Sequence, residues 1–255
     1  MALLYHYNFT QYLYKKASVI MSIDKEKILD FWVARALKDS NEDVKNSANL
    51  EDDPALSKLK VQLENKKVEQ YLMKTNLKGH ALDLGSGFGY WSREISRYYD
   101  SVIGVDFCKE MTDRATEELK KNFSKNVKFV CSEAQNFIEP KKKFNFIFIS
   151  GLLIYLNDKD LNKLITNINS YTKEGAHIIL RDGTGVDKKF EIKDKFSENL
   201  QAHYSALYRS RDSYIELFKQ GGFQLCEDED MFDKGHILNK FKETRLRIYL
   251  FKKDD

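Results

Sequence analysis

Residues Ala81 to Trp91 read ALDLGSGFGYW, and this stretch decides the fold. Ala81-Leu82-Asp83-Leu84 is a short apolar strand, Gly85, Gly87 and Gly89 make a turn, and a helix begins at about Tyr90. Glycines at such a turn let the backbone bend tightly and let a ligand lie against it. A second strand, Val102-Ile103-Gly104-Val105, follows and ends at Asp106. A carboxylate at that tip is placed to accept hydrogen bonds from the ribose hydroxyls of a nucleoside. The spacing is GxGxG, with Tyr90 standing where a dinucleotide fold needs a third glycine. Asp83, two residues before Gly85, would repel a pyrophosphate and suits a ligand carrying an ammonium group. No Gly-Lys-Ser/Thr follows, which excludes a P-loop. The bland alternative is an ordinary glycine turn in an α/β fold.

Around this stretch the chain reads as globular. It has 255 residues, enough for one domain with additions or two small domains, and is 42% hydrophobic and 32% charged. The net charge of +3 comes with lysines spread along the whole chain, so no nucleic-acid surface is indicated and no DNA partner is expected. Cys108, Cys131 and Cys226 stand far apart without a CxxC, which fits a reduced, cytoplasmic protein with no zinc site or disulfide framework. No apolar run approaches 18 residues, so no membrane insertion is expected. Residues 1–20 are rich in tyrosine, and their lysines follow the apolar part, unlike a signal peptide. They read either as an upstream extension of a protein that begins near Met21 or as an ordered extra helix.

The periodicity then alternates. Ile28, Leu29, Trp32 and Ala36 mark an amphipathic helix over 24–38, with Ser22 or Asp24 as its cap. Residues 41–54 read as a loop and 56–72 as a second helix. Strands at 80–84, 102–106, 127–130, 144–150 and 176–181 alternate with helices at 89–98, 109–122 and 158–171. Residues 183–210 carry no strand signal. A helix at 211–220 ends at Gly221-Gly222, and strands at 223–226 and 245–251 close the chain. Strands alternating with helices predict an α/β protein with a doubly wound, mostly parallel sheet.

In motif and element order the chain resembles the class I methyltransferases that use S-adenosylmethionine (SAM), from about residue 65 to 252. The resemblance implies a Rossmann-like sheet of seven strands, the seventh antiparallel between strands five and six. It implies two regions: 1–64 as an N-terminal extension and helical cap, and 65–252 as the methyltransferase domain, with 183–210 as a lid insertion. Carried over residue by residue, Asp83, Gly85, Ser86, Gly87 and Gly89 would face the methionine part of SAM. Asp106 would take the ribose, Phe107 and Met111 the adenine ring, and Glu133 and Ala134 its polar edge. Ser150, ending strand four, completes the cofactor set. For Met111 a helix core, and for Glu133 a solvated loop, are equally plain readings.

Absences narrow the acceptor. The chain has two prolines, Pro54 and Pro140, and neither follows strand four, where enzymes acting on amines of nucleic-acid bases carry a proline pair. The proline-cysteine of DNA cytosine enzymes and the paired-glutamate loop of arginine methyltransferases are also missing. A small-molecule acceptor remains, with RNA or protein enzymes, or a non-catalytic SAM-binding protein, as alternatives. Acceptors bind beyond the carboxyl ends of parallel strands. Arg181 ends strand five there; His203, Tyr204, Tyr208 and Arg209 follow in the insertion; His236, Asn239 and Lys240 return in a later loop. Tyr155 follows strand four, and Trp32 and Arg35 would cover the pocket from the N-terminal helix. Cations among aromatics suit a small anionic acceptor, with His203, Tyr204 or His236 as base where a hydroxyl is the target. For each residue alone a packing or surface role is the commoner outcome. The group also resembles enzymes of natural-product and surface-carbohydrate pathways.

Overall fold

The computed structural model describes residues 23–38, 51, 53–121, 125–140, 143–197 and 202–254. Met21, Ser22, the first 20 residues and most of the expected 41–54 loop lie outside them. Helix α1 (Lys25–Lys38) starts at Asp24, whose carboxylate accepts from the Glu26 and Lys27 amides. Helix α2 (Pro54–Leu72) has Pro54 in its first turn and Asp53 as N-cap, accepting from Ala55 and Leu56. Then follow β1 (His80–Leu84), α3 (Tyr90–Ile95), β2 (Ser101–Asp106), α4 (Lys109–Lys121), β3 (Val127–Cys131) and β4 (Phe144–Ser150). A 3-10 turn (Leu153–Tyr155), α5 (Asp158–Tyr171) and β5 (Thr172–Gly185) come next. The chain ends with β6 (Phe190–Ser197), β7 (Ala202–Ser210), α6 (Arg211–Gln220), β8 (Phe223–Asp230) and β9 (Thr244–Lys253).

The main sheet runs β3-β2-β1-β4-β5-β9-β8, with β9 antiparallel to both neighbours and the rest parallel. These are the seven strands expected from the sequence. Strand β4, FNFIFIS, sits at the centre, and Phe144, Phe146, Ile147, Phe148 and Ile149 are all fully buried. A strand covered on both faces needs an unbroken apolar run rather than alternation. One face packs against α5 and α6 through Ile147, Ile149, Leu164, Ile168 and Phe218. The other packs against α2 and α3 through Phe146, Phe148, Val68, Tyr71 and Ile95.

The insertion corrects the sequence reading. Residues 183–210 are not strandless: they hold the end of β5 and an antiparallel hairpin, β6 with β7. Strand β5 runs past the end of β4, and Thr184 and Gly185 pair in parallel with Arg209 and Ser210 of β7. The hairpin thereby stands above β4, over the carboxyl edge of the sheet. Helix α1 lies on it, with Ile28 and Phe31 against Tyr155, Tyr204, Ala206 and Leu207. Burying Phe31 alone contributes about 1.5–3 kcal/mol to that contact.

Candidate active site

A cleft of about 420 Å³ opens at the carboxyl edge of the sheet. Its walls are the glycine turn, the tips of β2, β4 and β5, helices α1 and α2, the hairpin and the β8–β9 loop. At the glycine turn, the amides of Gly85 and Ser86 donate to the Val105 carbonyl, which ties β1 to β2. Gly89 takes φ +74, and a Cβ there would lie 2.2 Å from the Phe129 ring, so both the turn and its support require glycine.

Asp106 accepts from the Gly87 amide at 2.9 Å and from the Cys108 amide at 2.9 Å. Burial raises its pKa above the ordinary carboxylate value, against these hydrogen bonds. A buried carboxylate with spare lone pairs at the cleft wall can accept from ribose hydroxyls. Phe107, Met111, Glu133, Ala134, Gly85, Ser86 and Ser150 line the same cleft. Glu133 is bridged at 3.2 Å by Lys25 of α1, which also reaches Asp160 at 3.1 Å. The buried Ser86 hydroxyl has no hydrogen-bond partner. Carboxylate, apolar wall and unpartnered hydroxyl around an open glycine turn fit a nucleoside bearing an amino-acid tail.

Asp83 stands elsewhere. It is 1% exposed, does not line the cleft, and accepts from the Ser92 hydroxyl at 2.6 Å. Its period-2 position on β1 turns it into the helix face, so it braces α3 rather than holding an ammonium group. Gly89 likewise caps α3 and does not line the cleft.

Of the residues expected around an acceptor, Trp32, Tyr155, Arg181, Tyr204 and Tyr208 line the cleft together with Asn239 and Lys240. Arg181 donates to Ser150 at 2.8 Å and pairs with Glu64 of α2. Asp182, fully buried, accepts from the Leu153 and Gly183 amides, and burial pushes its pKa up to about 6. The Tyr208 ring packs where a Cβ of Gly183 would be, a close approach that only glycine permits.

Arg35, His203, Arg209 and His236 are not in the lining. Arg209 is buried and spent on structure: its guanidinium donates to the Leu153 and Leu156 carbonyls and pairs with Asp158 at 2.6 Å. His203 is on the outer face of the hairpin, 62% exposed, beside Asp194 and Phe196. His236 stacks on Phe232 and accepts from the Leu238 amide. Neither histidine reaches the cleft as a base. Tyr204 is there, but burial drives its pKa well above 10, so it keeps its proton.

Lys60 and Glu64 were missed in the sequence reading, along with Tyr90, Trp91 and Arg245, which also line the cleft. Lys60 and Glu64 sit one turn apart on α2, a spacing that also describes an ordinary solvated helix face. Burial lowers the Lys60 pKa, and Glu64, Arg181, Glu51 and Lys240 all act on it. Lys240 pairs with Glu51 at 2.8 Å. Three cations and two carboxylates thus share one end of the cleft, and Arg245 adds a fourth cation to its lining. Among the described residues no group of side chains is arranged to hold a metal ion.

Fold and cleft together define a Rossmann-like α/β protein with a nucleoside-type site at a glycine turn. Residues 81–175 match a family described as a methyltransferase domain, and this part of the chain is a class I methyltransferase domain whose cofactor is SAM. Phosphoethanolamine N-methyltransferase 3 of Arabidopsis thaliana is 28% identical over 54% of this chain and 27% of its own length. N-terminal Xaa-Pro-Lys N-methyltransferase 2 of Danio rerio is 24% identical over 56% of this chain and 53% of its own. The chain thus spans about a quarter of the first of these relatives and half of the second. Among solved structures, DhpI in a complex with SAM and HEP superposes with a TM-score of 0.63 at 16% identity, covering 92% of this chain and 100% of that one. No helix among the described residues is long and apolar enough to cross a membrane.

Proposed function

We propose that the protein transfers the methyl group of SAM to a nitrogen or oxygen of a small, polar, anionic acceptor. The observation that carries this reading is the single cleft joining Asp106 and the glycine turn to a cation-lined end around Lys60 and Arg181. Bound SAM supplies an activated sulfonium methyl, so the chain's own residues need mainly to align and to exclude water. Alignment alone can lower such a barrier by roughly 7–11 kcal/mol. Gly85, Ser86, Gly87, Asp106, Phe107, Met111, Glu133 and Ala134 hold the cofactor. Lys60, Arg181, Lys240 and Arg245 draw the anionic part of the acceptor into a site of low dielectric, where charge attracts more strongly than in water. Among the described residues no histidine lines the cleft, which favours an amine that arrives neutral over an alcohol. The relatives named as phosphoethanolamine N-methyltransferases support a phosphorylated amine. Helices α1 and α2 and the hairpin act as cap and lid.

Two measurements test this. Calorimetry with S-adenosylhomocysteine should show binding, and Asp106→Ala should weaken it by about 1.5–3 kcal/mol, the scale of hydrogen bonds to a charged group. Unchanged affinity would remove Asp106 from the ribose role. Labelled SAM should be offered to phosphoethanolamine, other anionic amines, sugar nucleotides, N-terminal peptides and bulk RNA. Methylation of a small anion is expected, and Lys60→Met should raise its Michaelis constant about tenfold while changing turnover less. Labelling of peptides or RNA alone overturns the reading. Cofactor binding without any turnover would leave a SAM-binding regulatory protein.

A further inference from the structure

Trp32, Tyr155, Tyr204 and Tyr208 stand together at the end of the cleft covered by α1 and the hairpin. The Trp32 and Tyr155 rings are perpendicular at 5.8 Å, and Tyr155 and Tyr204 are perpendicular at 6.1 Å. Rings crossed at right angles make a concave corner. The tyrosine hydroxyls spend their hydrogen bonds on one another, Tyr155 to Tyr204 at 3.4 Å and Tyr204 to Tyr208 at 3.3 Å. Burial keeps all three protonated. The corner therefore presents aromatic surface, with no tyrosinate to act as base. The Asp182 carboxylate is fully buried beside this end, and its charge reaches all three tyrosines. Arg35 acts on Tyr155 from outside the cleft lining.

An aromatic corner beside a buried carboxylate attracts a weakly hydrated cation. When an amine takes the methyl group, the N–C bond forms as the S–C bond breaks. The sulfur keeps that electron pair as a neutral thioether, and the nitrogen acquires the positive charge. Building on the proposed methyl transfer, we infer that this corner binds the methylated ammonium of the acceptor, opposite the cations that hold its anionic group. The reacting atom is then a nitrogen. A site that accepts a methylated nitrogen also admits a partly methylated product for a further transfer, once that ammonium has lost its proton to water.

Equilibrium binding tests the corner without relying on turnover. The protein saturated with S-adenosylhomocysteine is titrated with choline and with 3,3-dimethylbutan-1-ol, its uncharged isostere. Choline should bind about tenfold tighter. Trp32→Leu should erase the preference, while Trp32→Phe should keep most of it, and unchanged melting of both variants shows that α1 stays docked. Equal binding of the two probes, or a preference that survives Trp32→Leu in the folded variant, overturns the inference. A protein that methylates small anions yet binds both probes alike loses the corner and keeps the function. A protein that prefers choline but transfers no methyl group does the reverse.

Discussion

Arg209→Met is expected to lower the free energy of unfolding by about 3–5 kcal/mol, because two backbone carbonyls lose the buried guanidinium that donates to them, while Asp158, 61% exposed, can turn to water. The sequence reading gives Arg209 to an anionic acceptor; the structure gives it to the 3-10 turn after β4. Its guanidinium donates to the Leu153 carbonyl at 3.0 Å, which also accepts from the Leu156 amide, and to the Leu156 carbonyl at 2.8 Å, while Asp158 takes its Nε and Nη2. Methionine fills similar space but leaves those carbonyls without their charged donor, and each such hydrogen bond is worth about 1.5–3 kcal/mol. Arg209→Lys should recover part of the loss, because an ammonium group is a single point and cannot span the same acceptors. In thermal unfolding the methionine variant should melt roughly 6–20 °C lower. A raised Michaelis constant with an unchanged melting temperature would return Arg209 to the acceptor.

This exchange of roles shows where reading the sequence stops. ALDLGSGFGYW and the strand ending at Asp106 are local signals: the conformations they require are set by the residues themselves, and β1, β2 and the turn between them form as read. The unbroken apolar run of β4 is as direct. The β6–β7 hairpin is less so. Its bulge between Ile192 and Lys195, with Asp194 at φ 41, flips the strand face partway along, so Phe196 ends 49% exposed although it keeps step with Phe190 and Ile192. The alternation of Tyr204, Ala206 and Tyr208 in β7 is there to be found. Which arginine or histidine near one sheet edge faces the cleft depends on residues far apart in sequence. Arg181 and Arg209 look alike until Glu64 and Asp158 are placed beside them. Lys60 carries no local mark at all, because Arg181 and Lys240, which act on it in the fold, lie far from it in sequence.

Asp83 yields the second large effect, and it is read through pH. Burial, reinforced by the charge of Asp106, pushes its pKa up to about 7 from the ordinary 3.8, against the lowering effect of the Ser92 hydroxyl. The native state therefore binds this proton more tightly than the unfolded chain. Its stabilising contribution is complete below about pH 3.8, declines as pH rises towards 7, and stays lost above it. At 1.36 kcal/mol per unit, the decline amounts to about 4 kcal/mol. Asp83→Asn removes the titration and keeps an oxygen to accept from Ser92. Unfolding in urea at a series of pH values should show the two proteins diverging between pH 4 and 7, with the asparagine variant gaining by about 3–4 kcal/mol across that window. The slope is the readout, since any fixed cost of seating the amide shifts both ends equally. Because Asp83 does not line the cleft, affinity for S-adenosylhomocysteine should change less than threefold at pH 8. Parallel stability curves would show that Asp83 is charged and well solvated in the native protein. A tenfold or larger loss of cofactor affinity would restore it to the ammonium group.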